Sequence, residues 1–415
     1  MLKLTVKEGS ILRERIDAIL IGIHEDAIEK SPLAAEVNRL LDGAIDKVIS
    51  RKGFTGKVEQ IEVLETRENI PAGYFILCGL GKADKAGLEQ IRQAMGRAVL
   101  RARDMGLKRV GVTTTAFINK TENIVVEDAG RAMAEGANLA LYRFSKYKVK
   151  ENGNSKNIDE IRFIEEERKS AAAVKIGVEK GKIISDSVNF ARDLINHPAN
   201  DMTPTILAET AKKMAGANRI KCTVLSRPQI EKLGMGAYLG VAQGSEEPLR
   251  FIILEYNGGK KGEKPVVIVG KAITFDSGGI SLKPAEGMGK MKYDMSGGAA
   301  TIGVLRAASM LRLPLNIVGL LPATENMPSG TAIRPGDILR SMSGRTIEII
   351  STDAEGRLAL SDALFYATRY KPRWINDIAT LTGACAVALG KHAIGMLGND
   401  KELKDRITAA GDKVW

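Results

Sequence analysis

Short apolar runs alternate with helical patterns in the second half of this chain, and this alternation constrains the fold more than any other feature. The runs are rich in β-branched residues, which is typical of buried strands. They cover residues 266–269, 315–321, 346–350 and 374–379, and helical patterns at 298–311 and 359–369 separate several of them. Because crossovers between parallel strands are right-handed, this order predicts a doubly wound α/β domain with a mainly parallel sheet.

The first half of the chain has the same alternation on a smaller scale. Strands are predicted at residues 1–7, 18–23, 60–64, 74–78 and 109–112, with helices around 33–41 and 88–103. A highly charged segment at 146–169 is interpreted as a surface connection, and a long helix is predicted at 170–195. A length of 415 residues also favours two domains. We therefore expect a smaller N-terminal α/β domain at 1–165 and a larger C-terminal domain at 166–415.

Composition and charge narrow the class of protein. No run approaches the roughly 18 apolar residues of a membrane helix, and the N-terminus has no signal-peptide order. Three scattered cysteines fit a reducing compartment, so a cytoplasmic location without a membrane partner is expected. The net charge of +11 permits DNA binding, but lysines and arginines alternate with acids nearly everywhere. This favours an ordinary solvated surface, with DNA kept as an alternative partner.

Histidine is scarce, and its scarcity excludes several kinds of active site. The chain has three histidines, lacks a Gly-x-Ser-x-Gly elbow and lacks a His-Glu-x-x-His motif. A metal site would therefore be built mainly from carboxylates. The glycines of Gly79-Leu80-Gly81 follow a predicted strand and could contact a phosphate, although a plain turn is the more common use of a lone Gly-x-Gly.

Acidic residues cluster near the ends of the predicted strands in the second half. These residues are Asp276, Asp294, Asp353 and Glu355, and Lys271 and Lys283 lie among them in sequence. Ligands of doubly wound sheets bind beyond the carboxyl ends of strands, so these groups should converge on one crevice. Four adjacent carboxylates repel one another unless cations are present, and a pair of divalent ions about 3.5–4 Å apart would resolve the conflict. The competing interpretation is that each acid caps a helix or lies on the surface.

The two lysines have two possible roles in such a cluster. They could simply balance the charge of the acids. Alternatively, a lysine held against metal ions would have a lowered pKa and could serve as a neutral amine ligand. The other lysine could remain an ammonium and stabilise an oxyanion.

The chain resembles the leucyl aminopeptidase (cytosol aminopeptidase) family in four blocks that follow the family's order. They are residues 270–279, 291–295, 352–358 (Thr-Asp-Ala-Glu-Gly-Arg-Leu) and 377–384, within a similarity that extends from about residue 191 to the end. The resemblance implies a metal-dependent hydrolase that removes N-terminal residues, preferably leucine or other hydrophobic ones, from peptides. It also implies a hydroxide between two metal ions as the attacking group, Mn²⁺ or Zn²⁺ as the metals, and a homohexamer.

The resemblance implies a role for each matching residue. Lys271, Asp276, Asp294 and Glu355 would hold the tighter metal ion, and Asp276, Glu355 and Asp353 would hold the second. Lys283 would polarise the peptide carbonyl, and Arg357 would hold a bicarbonate ion that carries the proton. Met291, Thr380 and Gly383 would line the pocket for the first side chain, and Leu381 would contact the substrate through its backbone.

The sequence departs from the family pattern in two places. Ser351 stands where the signature usually opens with asparagine. Family members also continue well beyond the segment that matches Gly411 to Trp415, and that extension supplies more of the pocket and of the subunit contacts. We therefore expect this chain to lack the family's C-terminal end, which bears on its side-chain preference and activity.

Overall fold

A computed structural model describes residues 2–25, 31–66, 70–118, 124–149 and 156–414. The chain divides into two compact units, one of residues 1–186 with 405–415 and one of residues 187–404. The division falls within the long helix α5 (Arg168–Asn196), which begins just after the domain boundary predicted from the sequence. Each unit has its own hydrophobic core. No described helix has the length and apolar character to cross a membrane.

A mostly parallel sheet forms the centre of the N-terminal unit. Its strands are β1 (Lys3–Glu8), β2 (Ala18–His24), β3 (Ile61–Glu65), β4 (Tyr74–Gly81), β5 (Arg109–Val112) and β6 (Glu160–Glu165). They lie in the order β1-β6-β5-β2-β4-β3, and all neighbours are parallel except β3 and β4. Every residue of β2 is buried, which explains its continuous apolar sequence at the centre of the sheet.

Helices cover this sheet and pack closely where glycines permit it. They are α1 (Pro32–Leu40), α2 (Ala44–Lys52), α3 (Leu88–Asp104) and α4 (Val126–Ala140), followed by the first part of α5. A Cβ atom at Gly136 of α4 would lie 2.1 Å from the carbonyl oxygen of Arg92 in α3. The two helices therefore approach each other almost backbone to backbone.

The interpretation of residues 146–169 as a surface connection was wrong for its second part. β6 lies inside this segment and pairs with both β1 and β5. Ile161, Phe163 and Ile164 are buried, while charged residues alternate with them. The many charged residues of this segment prevented the prediction of a strand whose apolar residues are buried. Gly153 and its neighbours Asn152 and Asn154 lie outside the described residues.

A mixed, mainly parallel sheet forms the centre of the second unit, as the sequence predicted. Its strands are β7 (Lys221–Leu225), β8 (Arg250–Asn257), β9 (Val266–Gly270), β10 (Ala272–Asp276), β11 (Asn316–Asn326) and β14 (Trp374–Ile378). The order is β14-β9-β11-β8-β7, and β10 pairs with the end of β11. β14, β9, β10 and β11 are parallel, whereas β8 and β7 are antiparallel to their neighbours.

Helices lie on both faces of this sheet, which defines the doubly wound arrangement. One core contains residues of α6 (Pro204–Ala217), α9 (Ser296–Met310) and the last part of α5. The other contains residues of α7 (Arg227–Lys232), α8 (Gly236–Val241) and α10 (Glu355–Ala367). Helices α11 (Gly383–Leu389) and α12 (Lys401–Gly411) follow β14.

Two of the predicted strands differ from the structure. Residues 346–350 do not form a buried strand of the main sheet, because β13 (Thr346–Glu348) pairs with β12 (Ile338–Arg340) in a separate, partly exposed hairpin. β11 extends to Asn326, five residues beyond its predicted end. Pro322 concealed this extension. It lies where the parallel partner of β11 changes from β9 to β10, a position at which a missing N–H is tolerated.

Candidate active site

The break between β9 and β10 positions the first candidate residue. Lys271 is the one residue between these strands, and its backbone N–H donates to the carbonyl oxygen of Ile378 at the end of β14. Its own carbonyl accepts from the N–H of Gly298 in the first turn of α9. The Lys271 backbone is thus fixed by two other elements at the carboxyl end of the sheet.

Three carboxylates meet beside this break. Asp276 is the last residue of β10, Asp353 belongs to a 3₁₀ turn at Thr352–Ala354, and Glu355 is the first residue of α10. One oxygen atom from each lies within 4.8 Å of the others. Asp276 and Glu355 are buried, whereas the Asp353 side chain is 37% exposed, so it lies at the entrance.

Lys271 connects Asp294 to this group. Its Nζ lies 2.8 Å from Oδ2 of Asp294 and 2.8 Å from Oε1 of Glu355. Asp294 lies on a 3₁₀ helix at Met288–Met295, and its Oδ1 accepts a 2.7 Å hydrogen bond from the Thr380 hydroxyl. Its Oδ2 faces the Lys271 ammonium. Each oxygen of this buried carboxylate therefore has one polar partner.

Lys283 balances the other acids. It lies in the loop after β10, and its Nζ pairs with Oδ2 of Asp276 at 2.9 Å and with Oδ1 of Asp353. The Lys283 side chain is 21% exposed, against 3% for Lys271. Each lysine thus bridges two acids.

The titration of these groups reflects their burial and their neighbours. Burial raises the pKa of Asp294 to about 7, and the opposing effect of the Lys271 charge is smaller. Burial alone would lower the pKa of Lys271, but the carboxylates of Asp294 and Glu355 outweigh it and the pKa is raised. The pKa of Lys283 is raised in the same way by Asp353 and Asp276. The sequence predicted a lowered pKa for a lysine that lies beside metal ions. In contact with carboxylates alone, both lysines have raised pKa values and stay charged.

Glycines let the backbone approach the cluster. Gly278 and Gly279 have φ angles of 88° and 67°, a region that favours glycine. A Cβ atom at Gly356 would lie 2.4 Å from Cε of Lys271, and one at Gly297 would lie 1.9 Å from the carbonyl oxygen of Ile378. The close packing of backbone around Lys271 therefore requires glycine at both positions.

The donor set fits divalent metal ions. Four carboxylates offer hard oxygen ligands, which Mn²⁺, Zn²⁺ and related ions accept, and Lys271 would add a nitrogen ligand once a bound cation displaces its proton. The helix-cap interpretation of Asp353 fits less well, because the N-cap position of α10 is Ala354 and no side chain caps it. The Glu355 side chain is directed at Lys271.

The remaining predicted residues surround the cluster at different depths. Arg357 is exposed in the first turn of α10, two residues after Glu355. Met291 is half-buried on the same 3₁₀ helix as Asp294. Thr380 contacts Asp294 directly, while Leu381 and Gly383 are exposed after β14. The structure thus joins Thr380 to the acids through a hydrogen bond and places the other four on neighbouring segments.

Sequence reasoning missed three residues that hold the acids together. They are Asn326 at the end of β11, Thr352 before Asp353, and Ser281 in the loop after β10. A polar residue at the carboxyl end of a buried strand was the available signal for Asn326. The predicted end of that strand at residue 321 concealed it.

The glycine turn of the N-terminal domain serves packing. A Cβ atom at Gly79 would lie 1.7 Å from the carbonyl oxygen of Lys57, and the N–H of Gly81 donates to the carbonyl of Gly56. The chain's own backbone therefore occupies the space that a phosphate would need.

A carboxylate and lysine cluster at the carboxyl ends of a mainly parallel sheet defines a metal-dependent enzyme of the α/β class. Two family models match this chain: the cytosol aminopeptidase family, N-terminal domain, at residues 20–151, and the catalytic domain of the same family at residues 189–415. The chain belongs to the cytosol aminopeptidase family, the M17 leucyl aminopeptidases.

Individual relatives agree with this assignment. The chain is 43% identical over 402 residues to a "Probable cytosol aminopeptidase" of Geobacter sulfurreducens, a match that covers 96% of this chain and 80% of the relative. A protein of the same description from Nitrosococcus oceani is 40% identical over 415 residues, covering 99% and 82%. The chain is therefore a metal-dependent exopeptidase that acts on peptides, and it spans about four fifths of the length of these relatives.

Solved structures show the same architecture. A tomato leucine aminopeptidase mutant matches with a TM-score of 0.86 and 29% identity, covering 100% of this chain and 80% of that one. The bottromycin maturation enzyme BotP in complex with Mn matches with a TM-score of 0.81 and 31% identity, covering 96% and 80%.

Proposed function

We propose that this enzyme releases N-terminal residues, preferably leucine or other hydrophobic ones, from peptides with the help of two divalent ions, Mn²⁺ or Zn²⁺. The observation that carries the proposal is the convergence of Asp276, Asp353 and Glu355, with carboxylate oxygens within 4.8 Å of one another. Two ions held there would supply an activated water as the attacking group and would polarise the peptide carbonyl.

Burial supports a division of the ligands between a tighter and a weaker ion. Lys271, Asp276, Asp294 and Glu355 are at most 6% exposed, and we assign them to the tighter ion. Asp353 is exposed, and we assign it to the second ion together with Asp276 and Glu355. A buried site excludes water and strengthens each electrostatic contact, so the buried set should bind more tightly.

Lys283 and Arg357 would act on the substrate rather than hold the metals. The Lys283 ammonium lies in a loop at the entrance, where it can turn from the acids to the carbonyl oxygen and stabilise its developing charge. The exposed guanidinium of Arg357 would bind bicarbonate, since its planar fork suits a bidentate oxyanion. Bicarbonate would carry the proton that a histidine carries in other hydrolases.

The substrate would lie against the segments around the acids. The free amino group of the peptide would bind at the metals, which limits cleavage to the N-terminus. Met291, Thr380 and Gly383 would line the pocket for the first side chain, and the backbone of Leu381 would contact the peptide. The position of Thr380, hydrogen-bonded to Asp294, supports a pocket directly beside the metal ligands.

The remaining proposals concern the whole enzyme. We infer that residues 166–415 carry the catalytic function and residues 1–165 form the smaller domain. We also infer a homohexamer that works in the cytoplasm, as the family membership suggests.

Hydrolysis of a leucine amide chromogenic substrate tests the proposal. The metal-stripped protein should be inactive, and added Mn²⁺ or Zn²⁺ should restore cleavage of the free-amine substrate but not of its N-acetylated form. Asp353→Asn, which preserves the shape of an exposed side chain, should remain inactive with either metal. Cleavage of the acetylated substrate, or full activity of Asp353→Asn, would refute the assignment.

A further inference from the structure

One buried amide contacts the acids and lies outside the proposed ligand set. Asn326 is 2% exposed, and its Nδ2 donates to Oδ1 of Asp276 at 2.9 Å and to the carbonyl oxygen of Thr352 at 3.0 Å. A longer contact of 3.4 Å reaches Oε2 of Glu355. The two hydrogens of one side chain are therefore directed at the segments that carry all the acids except Asp294.

The backbone of Asn326 fixes the same region. Its carbonyl oxygen accepts from both the N–H and the hydroxyl of Ser277, at 3.0 and 2.7 Å. Gly279 leaves room for the amide, because a Cβ atom there would lie 2.8 Å from Oδ1 of Asn326. The amide therefore has a fixed orientation at the end of β11.

The amide and a backbone N–H together orient the Asp276 carboxylate. Its Oδ1 accepts from Nδ2 of Asn326 and from the N–H of Gly278, both at 2.9 Å, whereas its Oδ2 faces Lys283. A mobile ammonium can leave when a cation arrives, but a neutral buried amide does not compete with a cation for the site. Oδ2 is thereby left free of the amide and faces the Lys283 ammonium, which also pairs with Asp353.

Thr352 links the loop after β10 to the turn that carries Asp353 and leads into Glu355. Its hydroxyl donates to the carbonyl of Gly278 at 2.6 Å and accepts from the N–H of Ser281 at 2.8 Å. Its N–H donates to the Ser281 hydroxyl. The loop after β10 and the turn before α10 are therefore joined, and Asn326 holds the carbonyl at their junction.

We propose that Asn326 is a positioning residue that sets the orientation of Asp276 and Glu355 for metal binding. Residues that hydrogen-bond metal ligands fix their orientation, and their loss typically weakens metal affinity about 10- to 100-fold. This inference rests on the proposed metal site, but it adds a residue outside the proposed ligand set.

Mn²⁺ affinity of the full chain, measured by titration calorimetry or by the paramagnetic resonance signal of free Mn²⁺, tests the proposal. Asn326→Ala removes the amide, and Asn326→Leu removes it while nearly preserving the side-chain volume if the alanine cavity prevents folding. Both should bind Mn²⁺ about 10- to 100-fold more weakly than the wild type. Asn316→Ala is the matched control. Asn316 begins the same strand, and its amide donates to the carbonyl oxygens of Lys260 and Glu263, so Mn²⁺ affinity should not change.

The outcomes separate a positioning role from a structural one. A folded Asn326 variant that loses thermal stability but binds Mn²⁺ as tightly as the wild type would overturn the proposal. A wild type that binds no Mn²⁺, or binds it equally well after Asp276→Asn, would instead refute the metal site itself. Weaker Mn²⁺ binding in the Asn326 variants, with unchanged binding in Asn316→Ala, supports the proposal.

Discussion

Lys271 and Lys283 each pair with two carboxylates, but their surroundings differ. Lys271 is enclosed by Asp294, Glu355 and the carbonyl oxygen of Thr380, which accepts from its Nζ at 3.1 Å. Lys283 is partly exposed and projects from a loop. The first side chain is fixed by its partners, whereas the second can leave them when a cation or a substrate approaches. The two positions therefore suit a ligand and a catalytic ammonium, respectively.

Replacing each lysine with methionine should separate these roles. Lys283→Met removes the group that would stabilise the oxyanion, so kcat should fall about 10²- to 10³-fold. Its Mn²⁺ affinity should stay the same or rise, because a competing cation is lost from Asp276 and Asp353. Lys271→Met should weaken Mn²⁺ binding instead. Steady-state kinetics at saturating Mn²⁺ and calorimetric titration of both variants make the comparison, and a Lys283→Met protein that no longer binds Mn²⁺ would contradict it.

The sequence predicted the charged part of this site more completely than the neutral part. Asp276, Asp353 and Glu355 converge as expected. Asp276 ends a strand of the main sheet, whereas Asp353 and Glu355 follow the separate β12–β13 hairpin, so strand order alone accounts only for Asp276. Asn326 escaped prediction because its strand was ended too early at Pro322. Thr352 and Ser281 act through hydrogen bonds between loops, and such pairs leave no periodic signal in a sequence.

Helices and strands were predicted correctly where their own residues show a clear hydrophobic pattern. They were missed or misplaced where the assignment depends on which strand they pair with. β5 has the predicted bounds, and α3 differs by one residue at its end. β6 was missed because its charged residues dominate the composition of the surrounding segment. β13 was recognised as a strand, but only pairing could reveal that it belongs to a hairpin outside the main sheet.

The junction of α9 with β14 makes a prediction about glycine. A Cβ atom at Gly297 would lie 1.9 Å from the carbonyl oxygen of Ile378 and 2.9 Å from the backbone nitrogen of Lys271. Gly297→Ala should therefore force α9 away from β14, lower the free energy of unfolding by about 1–3 kcal/mol or more, and reduce activity by displacing Lys271. Chemical denaturation and the leucine amide assay would measure the two effects.

Gly216→Ala provides the matched control in the same domain. Gly216 lies near the end of α6, and a Cβ atom there would meet no atom within 4 Å. Since alanine has the higher helix propensity, this change should leave activity intact and stabilise the protein by up to about 1 kcal/mol. Equal effects of the two substitutions would show that the contact at Gly297 does not govern α9.

The charge of the whole molecule is distributed unevenly. The chain carries a net charge of +11, yet the candidate site gathers four carboxylates around two lysines. Acidic groups therefore outnumber basic ones in the candidate site, whereas basic groups outnumber acidic ones in the rest of the chain. Such a site attracts divalent cations even though the protein as a whole is basic.

This imbalance predicts that divalent ions stabilise the folded enzyme. An ion that binds only the folded state at about 100 times its Kd adds about 2.7 kcal/mol to the free energy of unfolding. For a domain of this size, the melting temperature should rise by about 5–10 °C. Thermal unfolding followed by circular dichroism, with Mn²⁺ and then with excess chelator, would measure the gain and its reversal.

Asp276→Asn should abolish this gain. The substitution preserves the side-chain shape at a buried position but removes the carboxylate that we assign to both ions. The metal-free variant should melt near the wild type, because the loss of its ion pair with Lys283 is offset by reduced repulsion from Asp353 and Glu355. If Mn²⁺ raised the melting temperatures of the variant and the wild type equally, the stabilising ion would bind elsewhere on the molecule, and the acid cluster could not be the site that couples metal binding to folding.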